Sequence, residues 1–343
     1  MDQSALGLSL LLLAGAMNGS FTLPMKFTRK WAWENTWLMW TIFALFIFPV
    51  VLTWWTVPSL KQVYAQTGLG PALLAACFGA GWGISQIFLG LAVEGIGMAL
   101  SFSVILGLSA AVGSLVPLLR LHPNAIFEKG GITVLCGVAL VLLGVGIAAF
   151  AGRRRELALA APSGPVQSAR KVSVAKGLLF ASISGFGSAL VNFGFVFGEP
   201  LKVAAQQAGA AQIWAPNAVW LPLMVAGGIP NFIYCLYLIG RNKTGSRFMT
   251  EATGFYYGLA AIMAFFWFGS TVMYGVGATK LGALGPVLGW PLFMSLIVIT
   301  AALWGVGTGE WKGAGRQPLR MLGLGVAFLI VAIFVLGTSS RMF

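Results

Sequence analysis

Gly79-Ala-Gly-Trp82-Gly-Ile-Ser85-Gln86-Ile-Phe-Leu-Gly90-Leu-Ala-Val-Glu94-Gly-Ile-Gly97 is apolar enough to lie in a bilayer, yet it carries a tryptophan, a serine, an amide and, near one end, an acid. Ser85 and Gln86 follow Trp82 by three and four positions, so a helix places all three within about one turn of each other. The stretch predicts a membrane helix with a polar notch beside an aromatic wall.

The rest of the chain has the same character. Of its 343 residues 58% are hydrophobic and only 8% charged, where soluble domains carry about 25% charged residues. Apolar runs long enough to cross a bilayer recur from end to end, the pattern of a polytopic helical membrane protein. Ten are expected, over residues 4–25, 36–57, 70–93, 98–119, 131–151, 175–197, 216–239, 254–279, 284–306 and 321–338. Met1 to Ser4 holds no Lys or Arg and includes Asp2, unlike the basic start of a signal peptide, so the first run is expected to stay as a helix.

A net charge of +13 raises the possibility of a nucleic-acid partner. The position of the cations argues against one. Loops after odd-numbered runs hold fifteen Lys and Arg, among them Lys26, Arg153, Arg154, Arg155 and Arg247, against six after even-numbered runs and in the tail. By the positive-inside rule both termini then face outward. Cys77, Cys136 and Cys235 fall inside apolar runs without Cys-x-x-Cys spacing, which predicts small core residues rather than a metal site or disulfide framework.

One long polar linker, residues 152–175, separates a first set of five runs (1–151) from a second set (176–343). Five is odd, so the two sets enter the membrane from opposite sides, as two inverted five-helix repeats would. Weak echoes accompany this symmetry: a shift of 185 positions carries Trp82 onto Trp267 and Ser85 onto Ser270, and Gly137-Val138-Ala139 recurs as Gly325-Val326-Ala327. Residues 199–213, with Lys202, Gln206 and Gln207 among alanines, suggest a short surface helix.

Glycines four apart, such as Gly79 with Gly83 and Gly194 with Gly198, predict close helix packing rather than nucleotide binding, because no strand precedes them and no Gly-Lys-Ser/Thr follows. The amides of Asn18, Gln86, Asn192, Asn217 and Asn231 are more informative. Left unpaired in an apolar setting, each costs roughly 2 to 7 kcal/mol, so each needs a partner. Bonds between helices would satisfy them. A neutral polyhydroxyl ligand would also suit them, since an amide both donates and accepts. Trp82, Phe193, Trp267, Tyr274 and Trp290 are candidates for the apolar face of a sugar ring, with core packing or an interfacial belt as the plain alternatives.

Intramembrane acids are the natural carriers of a coupling ion because a buried charge is expensive. Glu94 is the candidate here, with a solvated helix end as its alternative reading; Glu34, Glu251 and Glu310 are placed near other inner ends. An enzyme finds no support, since His122 is the single histidine and joins no Cys or acid cluster. No cofactor and no metal are expected.

Phe21-x-x-Pro24-x-Lys26, then Lys30-Trp31-x-Trp33-Glu34, Trp82-Gly83 with Leu91 and Gly97-Met98 beyond, and Glu310-Trp311-x-x-Ala314-Gly315-Arg316-x-Pro318 together resemble the L-rhamnose-proton symporter family, within the drug/metabolite transporter superfamily. The resemblance spans essentially the whole chain. It implies an inner-membrane secondary transporter of bacteria that takes up L-rhamnose or a related deoxy-sugar by alternating access, with a proton, or sodium in its place, as coupling ion. The bilayer is then its setting and nucleic acid no partner. Asn18, Phe21, Trp82, Gln86, Asn192, Asn231, Trp267 and Tyr274 are the expected sugar contacts, with Glu94 for the ion. Export of a small metabolite or amino acid on the same fold is the competing expectation.

Overall fold

The computed structural model describes residues 3–160 and 172–339. Among these, helices are the only regular structure. In chain order they are α1 (Gln3–Ser20), α2 (Trp33–Thr41), α3 (Phe48–Thr56), α4 (Leu60–Thr67), α5 (Leu69–Ile96), α6 (Met98–Leu121), α7 (Lys129–Ala160), α8 (Val174–Phe197), α9 (Glu199–Gln207), α10 (Asn217–Asn242), α11 (Thr253–Lys280), α12 (Gly285–Gly307) and α13 (Arg316–Ser339). Among the described residues ten stretches are long and apolar enough to cross a membrane, matching the ten expected runs one for one.

Three local differences have physical causes. The second span is broken into α2 and α3 by a π-helical turn, Ile42–Ile47. Pro49, in the first turn of α3, has no N–H to offer the Leu45 carbonyl one turn back, and a wider turn accommodates the loss. Helix α7 runs nine residues past its expected end at 151. Arg153-Arg154-Arg155 reads as loop by charge but contains no helix breaker, and Arg153 pairs with Glu156 at 3.4 Å while the Glu156 carboxylate accepts the Ala99 N–H at 3.2 Å. The remainder of the expected linker, residues 161–171, lies outside the described residues.

The third difference is α9. A surface helix forms as expected, with Glu199, Val203, Gln206 and Gln207 exposed, but its other face is buried: Leu201, Ala204 and Ala205 pack against Val57, Val63, Ala75 and Val219. Lys202 is buried with them, paired with Glu199 and set 4.3 Å over the Phe195 ring. Two of the three cysteines are not the core residues expected. Only Cys235 is buried; Cys77 and Cys136 are exposed on their helices.

The helices form two compact units. One comprises Ser9–Ile84 and Leu190–Thr279; the other takes the chain before Ser9, Ser85–Ala189 and everything from Lys280 onward. Helices α5 and α8 therefore lend one part to each unit.

In the unit built on Ser85–Ala189, α6, α7, α12 and α13 form the core. A Cβ on Gly137 would meet the Leu336 side chain at 2.5 Å, and one on Gly144 would meet Leu329 at 2.8 Å, so α7 and α13 touch along their small residues. Gly325 lies on the same seam, with Ala148 N 2.8 Å from where its Cβ would stand. The two Gly-Val-Ala echoes thus face one interface. Helices α6 and α12 are tied by Ser114 Oγ to the Val287 carbonyl at 2.6 Å and Trp290 Nε1 to the Ser109 carbonyl at 3.0 Å.

In the unit built on Ser9–Ile84, α5 presses onto α10 through the glycine pair seen in sequence. A Cβ on Gly79 would lie 2.7 Å from the Leu223 carbonyl carbon, and one on Gly83 2.9 Å from that of Gly227, so neither position accepts a side chain without backbone movement. This contact fixes where Trp82 stands: the ring lies on Gly227, where a Cβ would come within 2.7 Å of it.

Candidate functional site

The unit built on Ser9–Ile84 brings together five of the expected sugar contacts. Trp82 on α5 stacks on Trp267 on α11, with centroids 5.3 Å apart and planes 23° from parallel. Three residues beyond Trp267, Ser270 accepts a hydrogen bond from Asn18 Nδ2 at 2.8 Å and donates its own proton to the Trp267 carbonyl at 2.6 Å. Helix α1 is therefore tied to the helix that carries the second tryptophan. On the opposite flank Asn231 Nδ2 donates to the Gly227 carbonyl at 3.0 Å and reaches the Gly83 carbonyl at 3.5 Å, beside Trp82.

Both amides spend their N–H groups on the protein. Among the described residues the side-chain oxygens (Oδ1) of Asn18 and Asn231 accept no hydrogen bond. Free acceptors beside an indole pair are what a sugar needs: hydroxyls to donate into and flat apolar faces for the C–H side.

Phe21 joins through a residue that the sequence reading did not select. Trp40 packs edge-on against Trp267 at 5.2 Å, and Phe21 lies 6.0 Å from Trp40 and 6.3 Å from Trp37. The spacing of Trp33, Trp37 and Trp40, at i, i+4 and i+7, was a readable signal that the three share a helix face.

Asn192 and Tyr274 form a pair of their own. The Tyr274 hydroxyl donates to Asn192 Oδ1, and both residues are fully buried. Phe195 packs on Tyr274 and stacks on Trp220 at 5.1 Å, so this pair sits in a closed aromatic cluster. Asn217 is likewise satisfied locally, donating to Thr56 Oγ1 at 2.8 Å and accepting from Thr53 Oγ1 at its carbonyl at 3.1 Å. Phe193 packs with Phe78 and Phe197.

The other unit holds Gln86 and Glu94. Gln86 Nε2 lies 3.3 Å from Ser85 Oγ and 3.5 Å from Ser188 Oγ, the latter on α8, and among the described residues its carbonyl oxygen accepts no bond. A Cβ on Gly187 would strike the Ser85 side chain, so the two helices meet closely at the notch. Glu94 is exposed, two residues before the end of α5. Trp290, with its N–H on Ser109, is part of this unit's core.

A buried acid lies elsewhere. Glu34, 5% exposed at the start of α2, accepts Asn242 Nδ2 at 3.0 Å and Thr244 Oγ1 at 2.9 Å on one carboxylate oxygen. The adjacent Asn35 donates to the Thr244 carbonyl at 3.1 Å and accepts the Ala32 N–H at 3.2 Å. Together they lock the start of α2 to the end of α10. No group of three or more His, Cys, Asp or Glu that could hold a metal ion occurs among the described residues.

Comparison with known proteins places this geometry in context. The family model described as L-rhamnose-proton symport protein matches residues 2–341. A protein of Pectobacterium atrosepticum named L-rhamnose-proton symporter is 28% identical over 335 residues, covering 95% of both chains. Proteins of the same name from Salmonella paratyphi A and Escherichia coli O17:K52:H18 are each 28% identical over 333 residues, again covering 95% of both.

Proposed function

The chain belongs to the L-rhamnose-proton symport protein family, and from that premise we propose that it takes up L-rhamnose, or a closely related 6-deoxy-sugar, together with a proton. One observation carries the reading: the Trp82–Trp267 stack flanked by Asn18 and Asn231, whose side-chain oxygens accept no hydrogen bond among the described residues. A deoxy-sugar has a methyl-bearing apolar face for the indoles and hydroxyls for the acceptors. Nothing charged is required to recognise it.

On this reading the protein lies in the inner membrane with both termini on the periplasmic side, as the cation distribution favours. Its two sets of five spans are inverted repeats that alternate access to the sugar. Asn192 and Tyr274, closed on each other, brace α8 against α11. Glu94 carries the coupling proton; it shares α5 with Trp82 and Gln86, so one continuous helix bears the ion candidate and the sugar candidates.

The test is accumulation of labelled L-rhamnose in proteoliposomes under an imposed inward proton gradient. Uptake that collapses with a protonophore supports symport. Uptake that ignores the proton gradient and follows sodium reverses the choice of ion, and no L-rhamnose flux under either gradient overturns the substrate and leaves export of another metabolite as the function.

A further inference from the structure

Five tryptophans stand in one unbroken row. Trp33 stacks on Trp37 at 5.1 Å, Trp37 lies on Trp40 at 4.5 Å, Trp40 meets Trp267 at 5.2 Å and Trp267 stacks on Trp82 at 5.3 Å. Every step lies within the range of direct ring contact, and all five residues belong to the unit built on Ser9–Ile84. The row starts at Trp33, 42% exposed at the tip of α2, and ends at Trp82, 6% exposed beside the free amide oxygens.

Interfacial anchoring explains a tryptophan at headgroup level, and it accounts for Trp33 alone. Trp40 is 2% exposed and packed on Trp267. Its indole Nε1 is buried and has no hydrogen-bond partner among the described residues, a state that costs free energy unless something else accepts the proton. Trp31 and Trp220 also bury an unbonded Nε1, but each lies in a separate cluster, Trp31 edge-on to Phe248, Tyr256 and Tyr257 and Trp220 stacked on Phe195. Of the three, only Trp40 is in ring contact with the indole pair of the candidate sugar site, through Trp267.

We propose that this row is a transfer track for the pyranose, leading from the Trp82–Trp267 platform past Trp40 and Trp37 to the exposed end of the span at Trp33, with the Trp40 N–H engaging a sugar oxygen on the way. The inference rests on the sugar-transport reading and extends it to the route. A pyranose moving between adjacent rings keeps its C–H face on an aromatic surface throughout, so it never crosses bare hydrocarbon. Similar, shallow contacts along the row speed passage without creating a trap. The track should therefore govern the rate of exchange, while the platform governs affinity.

The experiment compares equilibrium binding of radiolabelled L-rhamnose to purified protein with L-rhamnose counterflow in proteoliposomes. Trp37→Leu keeps apolar volume and removes the ring; it should bind within twofold of the parent yet exchange at least tenfold more slowly. Trp37→Phe should restore exchange to within threefold. Trp40→Phe keeps a ring and removes the donor, and should slow exchange several-fold. Trp33→Leu, at the exposed end, gives an independent reading if the Trp37 variants fail to fold and should also slow exchange. Counterflow at the parental rate in Trp37→Leu, or in Trp33→Leu where that is the variant that folds, overturns the track alone. So does an equal loss of binding and exchange in Trp37→Leu that Trp37→Phe does not repair. If the unaltered protein neither binds nor exchanges L-rhamnose, the sugar reading falls and the track with it.

Discussion

Trp82 and Trp267 come from helices that are 185 positions apart at these residues, yet their indoles stack at 5.3 Å, and the position of each is set by small neighbours. Trp82 rests on Gly227, and Trp267 is held through its carbonyl by Ser270, itself held by Asn18. The pair is thus fixed by backbone contacts and one short relay of hydrogen bonds. That rigidity suits a binding platform, because ordering a side chain on binding costs affinity.

Removing either indole should weaken sugar binding. Trp82→Ala and Trp267→Ala are each expected to raise the L-rhamnose Kd about tenfold, equivalent to ~1.4 kcal/mol, and Trp82→Phe, which keeps a ring, should lose less. Binding of labelled sugar to purified protein checks this. Unchanged affinity in both alanine variants removes the platform.

The α5–α10 contact should be intolerant of a single methyl group. Gly83→Ala places a Cβ against the Gly227 carbonyl, and overpacking of this kind costs about 1–3 kcal/mol. Gly146→Ala is the control, since nothing lies within 4 Å of a Cβ there. Thermal unfolding in detergent should show a lowered midpoint for the first variant and not for the second.

The ten spans were readable because hydropathy is a local property, summed over residues that lie together in the chain. Which face of each span packs was not. Lipid and protein core are both apolar, so Cys77 and Cys235 look alike in sequence although one is exposed and the other buried. The amides announced themselves by their cost in an apolar run, and each found a partner. Their grouping was another matter: Asn18 and Asn231 flank the indole pair while Asn192 closes on Tyr274, a distinction made by contacts across 82 to 252 positions of chain. Trp40 illustrates the same boundary. Its place on a tryptophan face was legible from spacing, and its meeting with Trp267 was not.

Glu34 should tolerate amidation better than truncation. Asn242 and Thr244 both donate to the same oxygen, which Glu34→Gln preserves as a carbonyl. Glu34→Ala leaves two buried donors unpaired at about 1–3 kcal/mol. Melting temperatures should therefore fall in the order parent, Gln variant, Ala variant. Equal stability of parent and Ala variant removes the lock between α2 and α10.

Asn18 and Ser270 should be coupled. Asn18→Ala, Ser270→Ala and the double variant close a thermodynamic cycle, and a buried bond at 2.8 Å predicts a coupling of about 0.5–1.5 kcal/mol in stability. Asn18→Ala should also weaken L-rhamnose binding, because it removes the free acceptor; Ser270→Ala should weaken it less. Additive effects on stability mean that the contact contributes nothing.

Glu94 gives the sharpest test of coupling. If its carboxyl carries the proton, Glu94→Gln holds a permanent mimic of the protonated form, so the sugar still crosses but no longer with a proton. Counterflow of L-rhamnose, which needs no net proton movement, should persist near the parental rate, while accumulation driven by a proton gradient should fall to the diffusive limit. The reverse result, full accumulation in the Gln variant, excludes Glu94. The only buried acid among the described residues is then Glu34, and the Glu34→Gln protein measured in the same two assays decides whether the proton travels on α2 instead.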